Sequence, residues 1–287
     1  MYKKFRLALP FILPGLAGLL LFYGIPFLGG IWYSVTDGSF ENRFVGLQNY
    51  LNVWQNPIFQ LGLRNTMEIS LICAPALFLL SFLLAAGLHR IRPAGAFFRS
   101  GVLMPYLMPS SAVLIIWLLW FDYGGPVNRI LSLLGMGRIN WLMGPELRLP
   151  VILLFLWKNL GFCFVVFLSA LQSIPESLYE YATLEGASFL RQTFSITLPM
   201  VIPSAFLVAI LSFVSAFRIF KEVYFIGGPY PEEALYTLQN YMNNMYGKLN
   251  YQNVTTAAYS FAAIVFLLFG ILFLSQRQAL RRLNGEG

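Results

Sequence analysis

The stretch Ser173–Pro199, SIPESLYEYATLEGASFLRQTFSITLP, is set between long apolar runs and carries Glu176, Glu180 and Glu185. A run so charged does not belong in hydrocarbon, so it marks a water-facing loop and divides the chain into what lies before it and after it. Its opening reads as a helix start: Ser173 as a cap, Glu176 completing a capping box, and Pro175 in the first turn where its missing N–H is not needed. At 3.6 residues per turn Ile174, Leu178, Tyr181 and Ala182 share an apolar face, with Glu176, Glu180 and Thr183 directed away from it. Gly186 is placed to close this helix in a left-handed conformation, and Pro199 is expected to end the second segment of the loop. Glu185 falls on the apolar stripe in the last turn, where the helix dipole disfavours an anion, so a cation from Arg191 or from a docked protein is expected beside it.

The surrounding composition sets the solvent. Of 287 residues 58% are hydrophobic and only 11% charged, and the mean hydropathy is +0.68; a water-soluble domain carries about a quarter charged residues. The chain reads as an all-α membrane protein. Its net charge of +7 suits cytoplasmic edges and anionic lipid headgroups and calls for no nucleic acid. The two cysteines, Cys73 and Cys163, sit apart in apolar runs and imply neither a disulfide framework nor a metal site. Lys3, Lys4 and Arg6 precede an uncharged run from Leu7 to Thr36 that is too long for a signal-peptide core, so the first helix is expected to stay in the membrane.

A span needs about 20 helical residues, and six segments qualify, near 9–34, 67–88, 100–121, 150–172, 201–217 and 254–275. An even number puts both termini on one side. Lys3, Lys4 and Arg6 at one end and Arg277, Arg281 and Arg282 at the other assign that side to the cytoplasm of a cell membrane. The loop with His89, Arg90, Arg92 and Arg99, and the loop with Glu180, then fall inside as well. Pro10, Pro14 and Pro26 in the first segment, and Pro105 and Pro109 in the third, predict kinks there. Residues 218–253, with Gly227-Gly228-Pro229, form a long external connection.

The spacing Glu180-x-Ala182-x3-Gly186-x9-Ile196-x-Leu198-Pro199, together with Glu185 and Ala187, resembles the "EAA" loop of permease subunits in binding-protein-dependent ABC importers. Tyr181 departs from that pattern, standing where the family has an alanine. Phe44-Val45-Gly46-Leu47-Gln48-Asn49-Tyr50, Phe97-Phe98-Arg99, Leu103-Met104-Pro105, Trp141-Leu142 and Gly227-Gly228-Pro229 are similar to the sugar, maltose-type branch. The resemblance implies a type I importer permease fold of six transmembrane helices with a cytoplasmic coupling helix between the fourth and fifth. Residues 1–60 would form an N-terminal helix and external loop, 61–276 the transmembrane domain and 277–287 a basic tail. It further implies a coupling loop of Glu180, Ala182, Glu185, Gly186, Ala187, Ile196, Leu198 and Pro199, a second permease as heterodimer partner, two ATP-binding subunits and an extracellular or periplasmic solute-binding protein, docked through the external connection.

Chemistry of its own is hard to find in the chain. No G-x4-G-K-[ST] phosphate loop occurs, so ATP and Mg would belong to a partner, with no cofactor here and no catalytic role. The sole histidine, His89, borders a basic loop and reads as an interfacial residue. Lys158 is out of place: a lysine at mid-bilayer costs roughly 2.5–3.5 kcal/mol on insertion scales. It either lines a watery path, with Asn159, Ser212 and Ser215 as further candidates, or snorkels outward. The function expected is half of the path for a sugar or oligosaccharide. The alternatives are a non-sugar solute of the same importer class, or a secondary transporter, against which stands the lack of Asp or Glu in the uncharged cores, Glu68 lying only at an edge.

Overall fold

The computed structural model describes residues 2–39, 41–90 and 95–283, and these are overwhelmingly helical. Arg92 lies outside them, and the structure describes only the backbone at Lys3, Lys4, Arg6, Arg90, Phe97, Phe98, Arg99 and Arg282. Six helical stretches among the described residues are long and apolar enough to cross a membrane: Pro10–Ser34, Pro57–His89, Ser110–Leu133, Gly144–Gln172, Phe189–Gly227 and Tyr251–Gln278. The chain divides into two compact units, one of residues up to Gln60 with Tyr241–Val265, the other Leu61–Asn240 with the residues from Phe266 onward.

In the first unit, helix α1 (Tyr2–Leu19) passes through a π-helical turn at Leu20–Gly24 into α2 (Ile25–Ser34). Pro26 is the cause: it has no N–H for an ordinary helical bond, and the wider turn, with Ile25 N–H donating to Leu20 O, passes it without breaking the rod. Beyond α2 the chain reverses through Gly46, whose φ is +59°, into α3 (Gln48–Gln55). Asn49 fixes this reversal by donating to the carbonyls of Ser34 (3.1 Å) and Thr36 (2.7 Å). Before it, Asp37 accepts from the Ser39 hydroxyl (2.7 Å), the Ser39 N–H and the Arg43 N–H, bonds that hold its carboxyl below the usual carboxylate range. The same unit holds α13 (Leu238–Gly247) from Tyr241 onward and the start of α14 (Tyr251–Leu283), where Trp54 Nε1 donates to Ser260 (3.1 Å).

The second unit is built on α8 (Arg148–Gln172). Its neighbours are α4 (Pro57–Arg90), α5 (Gly95–Leu107) and α11 (Leu198–Phe217). Phe167 receives Phe78 and Phe82 edge-on, with ring centroids 5.2 and 5.4 Å away, and Phe164, Leu168 and Leu171 are buried beside it. Lipid-facing apolar side chains gain nothing from leaving lipid, so close backbone approach carries this packing. Gly161 permits it against α5, since a Cβ there would overlap the Val102 carbonyl.

The third expected span differs in detail. Met108 and Pro109 interrupt it, and α6 (Ser110–Phe121) starts afresh, followed by α7 (Pro126–Leu133). Pro109 at φ −57° and ψ 128° is extended, so the kink expected there is a break. The segment after α6 is tied by Asn128, which is fully buried. Its amide donates to Ile139 O (2.8 Å) and Tyr123 O (3.2 Å), while its oxygen accepts from Ile139 N–H (3.0 Å) and Trp141 Nε1 (3.1 Å). Asn128→Ala strands those groups and is expected to cost about 2 kcal/mol, read as a lowered midpoint of thermal unfolding in detergent; an unchanged midpoint contradicts the anchoring role.

The fifth span also exceeds its expected limits of 201–217. Upstream, α10 (Phe189–Gln192) and a π turn at Thr193–Thr197 lead into α11 without interruption. Pro199 therefore does not end a segment: the π turn, with Leu198 N–H on Thr193 O, carries the helix past it. Downstream, after a break at Arg218–Ile219, α12 (Phe220–Gly227) follows. The connection expected to be a long external loop is thus largely helical, through α12, a 3-10 turn at Glu233–Leu235 and α13.

Candidate functional site

The loop between α8 and α11 is a helix α9 (Glu176–Leu184) closed by a left-handed glycine. Its start corrects the expected capping box. Pro175 occupies the cap position, and the Ser173 hydroxyl instead donates to Ala170 O (2.7 Å) at the end of α8. Ser173 is too closely bound to the helix it terminates to cap the next one. The end follows expectation: Gly186 has φ +75°, its N–H donates to Thr183 O (3.0 Å), and the Ala187 N–H reaches back to Ala182 O (2.9 Å), a Schellman closure.

The residues expected to share one apolar face are divided in the structure. Tyr179 and Ala182 turn inward, Tyr179 sharing a 2.9 Å hydrogen bond with Thr197 at the head of α11, while Ile174 is buried just before the helix. Tyr181 and Leu184 are 68% and 84% exposed, and Leu178, Phe189, Leu190 and Phe194 are exposed too. Tyr179, with its hydroxyl bonded to Thr197, takes the side turned to the protein. Glu180 and Glu185 are exposed, and Glu185 has no ion pair with Arg191. Gln192 braces the closure, its amide donating to Thr183 Oγ1 (3.0 Å) and Ala187 O (3.2 Å). Ile196, Leu198 and Pro199 are half-buried in the run into α11. Between this loop and the ends of α4 and α8 lies a cavity of about 750 Å³ whose wall includes His89, Gln172, Glu176, Tyr179, Gln192 and Thr197.

A second polar cluster lies inside the spans. Lys158 of α8 is 14% exposed and sits 3.6 Å from the carboxylate of Glu222, itself 13% exposed, in the first turn of α12. Its ammonium also donates to the hydroxyl of Ser110, the first residue of α6. Lys158 thus turns into the protein. Of the residues grouped with it, Asn159 donates to Phe155 O (2.8 Å) of its own helix, Ser212 is buried against Cys163, and Ser215 is half-buried. Glu222 escaped the sequence reading because it lay beyond the expected end of the fifth span. Beside the cluster, Met108, Pro109, Val113, Trp117, Trp120 and Trp157 line an apolar cleft of about 460 Å³.

Comparison with known proteins decides the family. Residues 64–284 match the binding-protein-dependent transport system inner membrane component family. The chain belongs to that permease family. It is 31% identical over 278 residues to the trehalose/maltose transport system permease protein MalF of Thermococcus litoralis, covering 95% of this chain and 94% of the relative. It is 30% identical to the sn-glycerol-3-phosphate transport system permease protein UgpA of Pectobacterium atrosepticum over 72% of this chain and 71% of that one. Its fold matches a chain of a bacterial ABC transporter involved in the import of the acidic polysaccharide alginate, with a TM-score of 0.84 at 22% identity over 96% of each. The architecture is that of a type I importer permease with six membrane-spanning helices, α9 lying between the fourth and fifth.

At the opposite end of α8 from α9, the permease carries a further network. Arg148 donates through Nε to Ala234 O (2.8 Å), through Nη1 to Glu68 (2.9 Å) and through Nη2 to Asn65 Oδ1 (2.7 Å). Asn65, itself buried, donates to the carbonyls of Glu233 (2.6 Å) and Tyr236 (2.9 Å), and the Leu238 N–H donates to Thr66 Oγ1 (2.9 Å). Glu232 accepts from the Gly144 N–H (3.1 Å). The segment after Gly228, a glycine at φ +68°, is thereby fastened to the beginnings of α4 and α8.

Proposed function

We propose that this permease forms half of a translocation path for a sugar or oligosaccharide and is driven by ATP hydrolysis on a separate subunit that docks at α9. The observation that carries the reading is the loop between α8 and α11: Leu178, Tyr181 and Leu184 are exposed beside Glu176, Glu180 and Glu185 on and just after a helix with a fixed end. A cluster of large apolar side chains on a loop that cannot sit in lipid marks a protein contact. Glu180, Ala182, Glu185, Gly186, Ala187, Ile196, Leu198 and Pro199 make up that contact and its backing. Both termini then lie in the cytoplasm, two ATP-binding subunits hold the ATP and Mg, a second permease completes the path, and the segment fastened by Arg148 faces a solute-binding protein. Residues 1–60 form an entry helix and loop, 61–276 the transmembrane domain and 277–287 the tail. Lys158, Asn159, Ser212 and Ser215 are the candidates for the path itself.

The sugar assignment is supported by a relative named for trehalose and maltose, and by a structural neighbour involved in alginate import. The test is co-purification of the ATPase with wild type, Glu180→Ala and Leu184→Ser, followed by uptake of labelled maltose, trehalose, alginate oligosaccharides and glycerol 3-phosphate. Leu184→Ser should reduce recovered ATPase roughly tenfold, the effect of removing one well-buried apolar anchor from an interface, and Glu180→Ala less. Full recovery in both variants contradicts docking at α9. Uptake of glycerol 3-phosphate with no uptake of any saccharide contradicts the sugar reading alone.

A further inference from the structure

Two helices of the second unit start at breaks in the helical backbone instead of continuing the helix before them. Helix α6 starts at Ser110 after the break at Met108 and Pro109. Helix α12 follows a break at Arg218–Ile219 and ends at Gly228, whose φ of +68° and ψ of −157° turn the chain away. With eight residues, α12 is too short to be stable by its own hydrogen bonds, so side-chain contacts must set its position. Those contacts include Val223, buried in the main core, Ile226, packed on that core and on the cluster of Val113, Leu114 and Leu154, and Glu222, which meets Lys158.

Lys158 therefore joins three elements through one ammonium group. It grows from the uninterrupted α8, its nitrogen lies 3.6 Å from a carboxylate in the first turn of α12, and it donates to the hydroxyl at the first residue of α6. The carboxylate is suited to that turn, where the exposed N–H groups of the helix start favour an anion. A charged pair largely shut off from solvent in a membrane span is costly to keep unless its geometry serves something. The apolar pairs of this region could fill the same volume without that cost.

We propose that Lys158 and Glu222 are positioning residues for transport: their ion pair, shared with Ser110, clamps α12 onto α6 and α8 and so holds shut the wall of the path formed by Ile226 over Val113, Leu114 and Leu154. The inference rests on the reading of this chain as half of a solute path. With the clamp broken, α12 lifts from α6 and the complex cycles without waiting for its binding protein.

Leu114 reports the clamp, being 2% exposed in the cluster that Ile226 packs on and lying outside the wall of the apolar cleft. The full chain with Leu114→Cys, in membranes containing its partner subunits, is treated with N-ethylmaleimide; the native Cys73 and Cys163 are buried and provide the background. With Lys158 and Glu222 intact the new thiol is expected to react slowly. Lys158→Met or Glu222→Gln should speed its labelling roughly tenfold, as expected when a local opening becomes populated, and the exchanged pair Lys158→Glu with Glu222→Lys should return it toward the slow rate. In the reconstituted complex without the added cysteine, the single variants should raise ATP hydrolysis in the absence of binding protein, and the exchanged pair should lower it again. Single variants that label at the slow rate, or an exchanged pair as fast as the singles, overturn the clamp. Faster labelling with an unchanged ratio of stimulated to unstimulated hydrolysis assigns the pair to stability alone and also overturns it. Should hydrolysis in the wild-type complex not respond to binding protein at all, the importer reading fails, and the labelling rates still decide whether the pair holds α12.

Discussion

Gly186→Val is expected to leave the permease in the membrane with its partner and to lower solute-stimulated ATP hydrolysis by at least roughly tenfold, the loss expected when a coupling contact worth more than about 1.4 kcal/mol is misplaced. Gly186 has φ +75°, and a Cβ built there would have no atom within 4 Å, so the damage cannot come from a clash. It comes from the backbone. A left-handed conformation costs an ordinary L-residue about 1–2 kcal/mol and a β-branched one more. Valine therefore favours another φ, which releases the bonds from Gly186 to Thr183 (3.0 Å) and from Ala187 to Ala182 (2.9 Å). The end of α9 then points Leu184 and the following Leu190 elsewhere. Gly186→Asn separates the two explanations, because asparagine adds a side chain yet tolerates left-handed φ; it should retain most of the stimulated activity. If valine at this position supports hydrolysis at the wild-type stimulated rate, α9 does not need its fixed end.

The spans were legible because hydropathy over twenty residues is insensitive to small errors of boundary. What the sequence hid were the ends and the pairings. Ser173 has the chemistry of a cap for α9, yet it lies within one turn of α8 and bonds to Ala170 instead. Pro199 looks like a stop because a proline lacks a helical donor, but a π turn shifts the pattern by one residue and the rod goes on. The stripe of Ile174, Leu178, Tyr181 and Ala182 forms one face on a helical wheel, yet Ile174 precedes α9 and is buried while Leu178 and Tyr181 are exposed. Tyr181 and Leu184 are exposed, which is what the proposed docking at α9 requires. Glu222 was invisible as a partner for Lys158 because their distance in sequence says nothing of their 3.6 Å separation in space.

The same blindness covers Arg148, whose partners are distant in sequence and whose replacement carries the largest expected loss of stability. Glu68 accepts from Arg148 (2.9 Å) and from Arg64 (2.7 Å), so by distance the two arginines look equivalent. Their surroundings are not. Arg64 has a side chain 77% exposed and sits one helical turn from Glu68, whereas that of Arg148 is 32% exposed and also holds Asn65 Oδ1 and Ala234 O. Removing Arg148 strands these acceptors and loosens Asn65, whose own amide ties down Glu233 and Tyr236. Arg148→Met is accordingly expected to cost about 2–3 kcal/mol, a figure already reduced for the partial exposure of the pair. Arg64→Met, an exposed pair screened by water and salt, should shift the thermal midpoint in detergent by nothing measurable. Arg148→Lys should recover little, since one ammonium on a flexible stem cannot reproduce a planar fork with three separate partners. The functional consequence follows the same geometry: with Glu232–Tyr236 unfastened, binding-protein-stimulated hydrolysis should fall while unstimulated hydrolysis stays as it was. Equal midpoints for Arg148→Met and Arg64→Met would show that the network only decorates the surface, and that the segment after Gly228 is held by its apolar contacts.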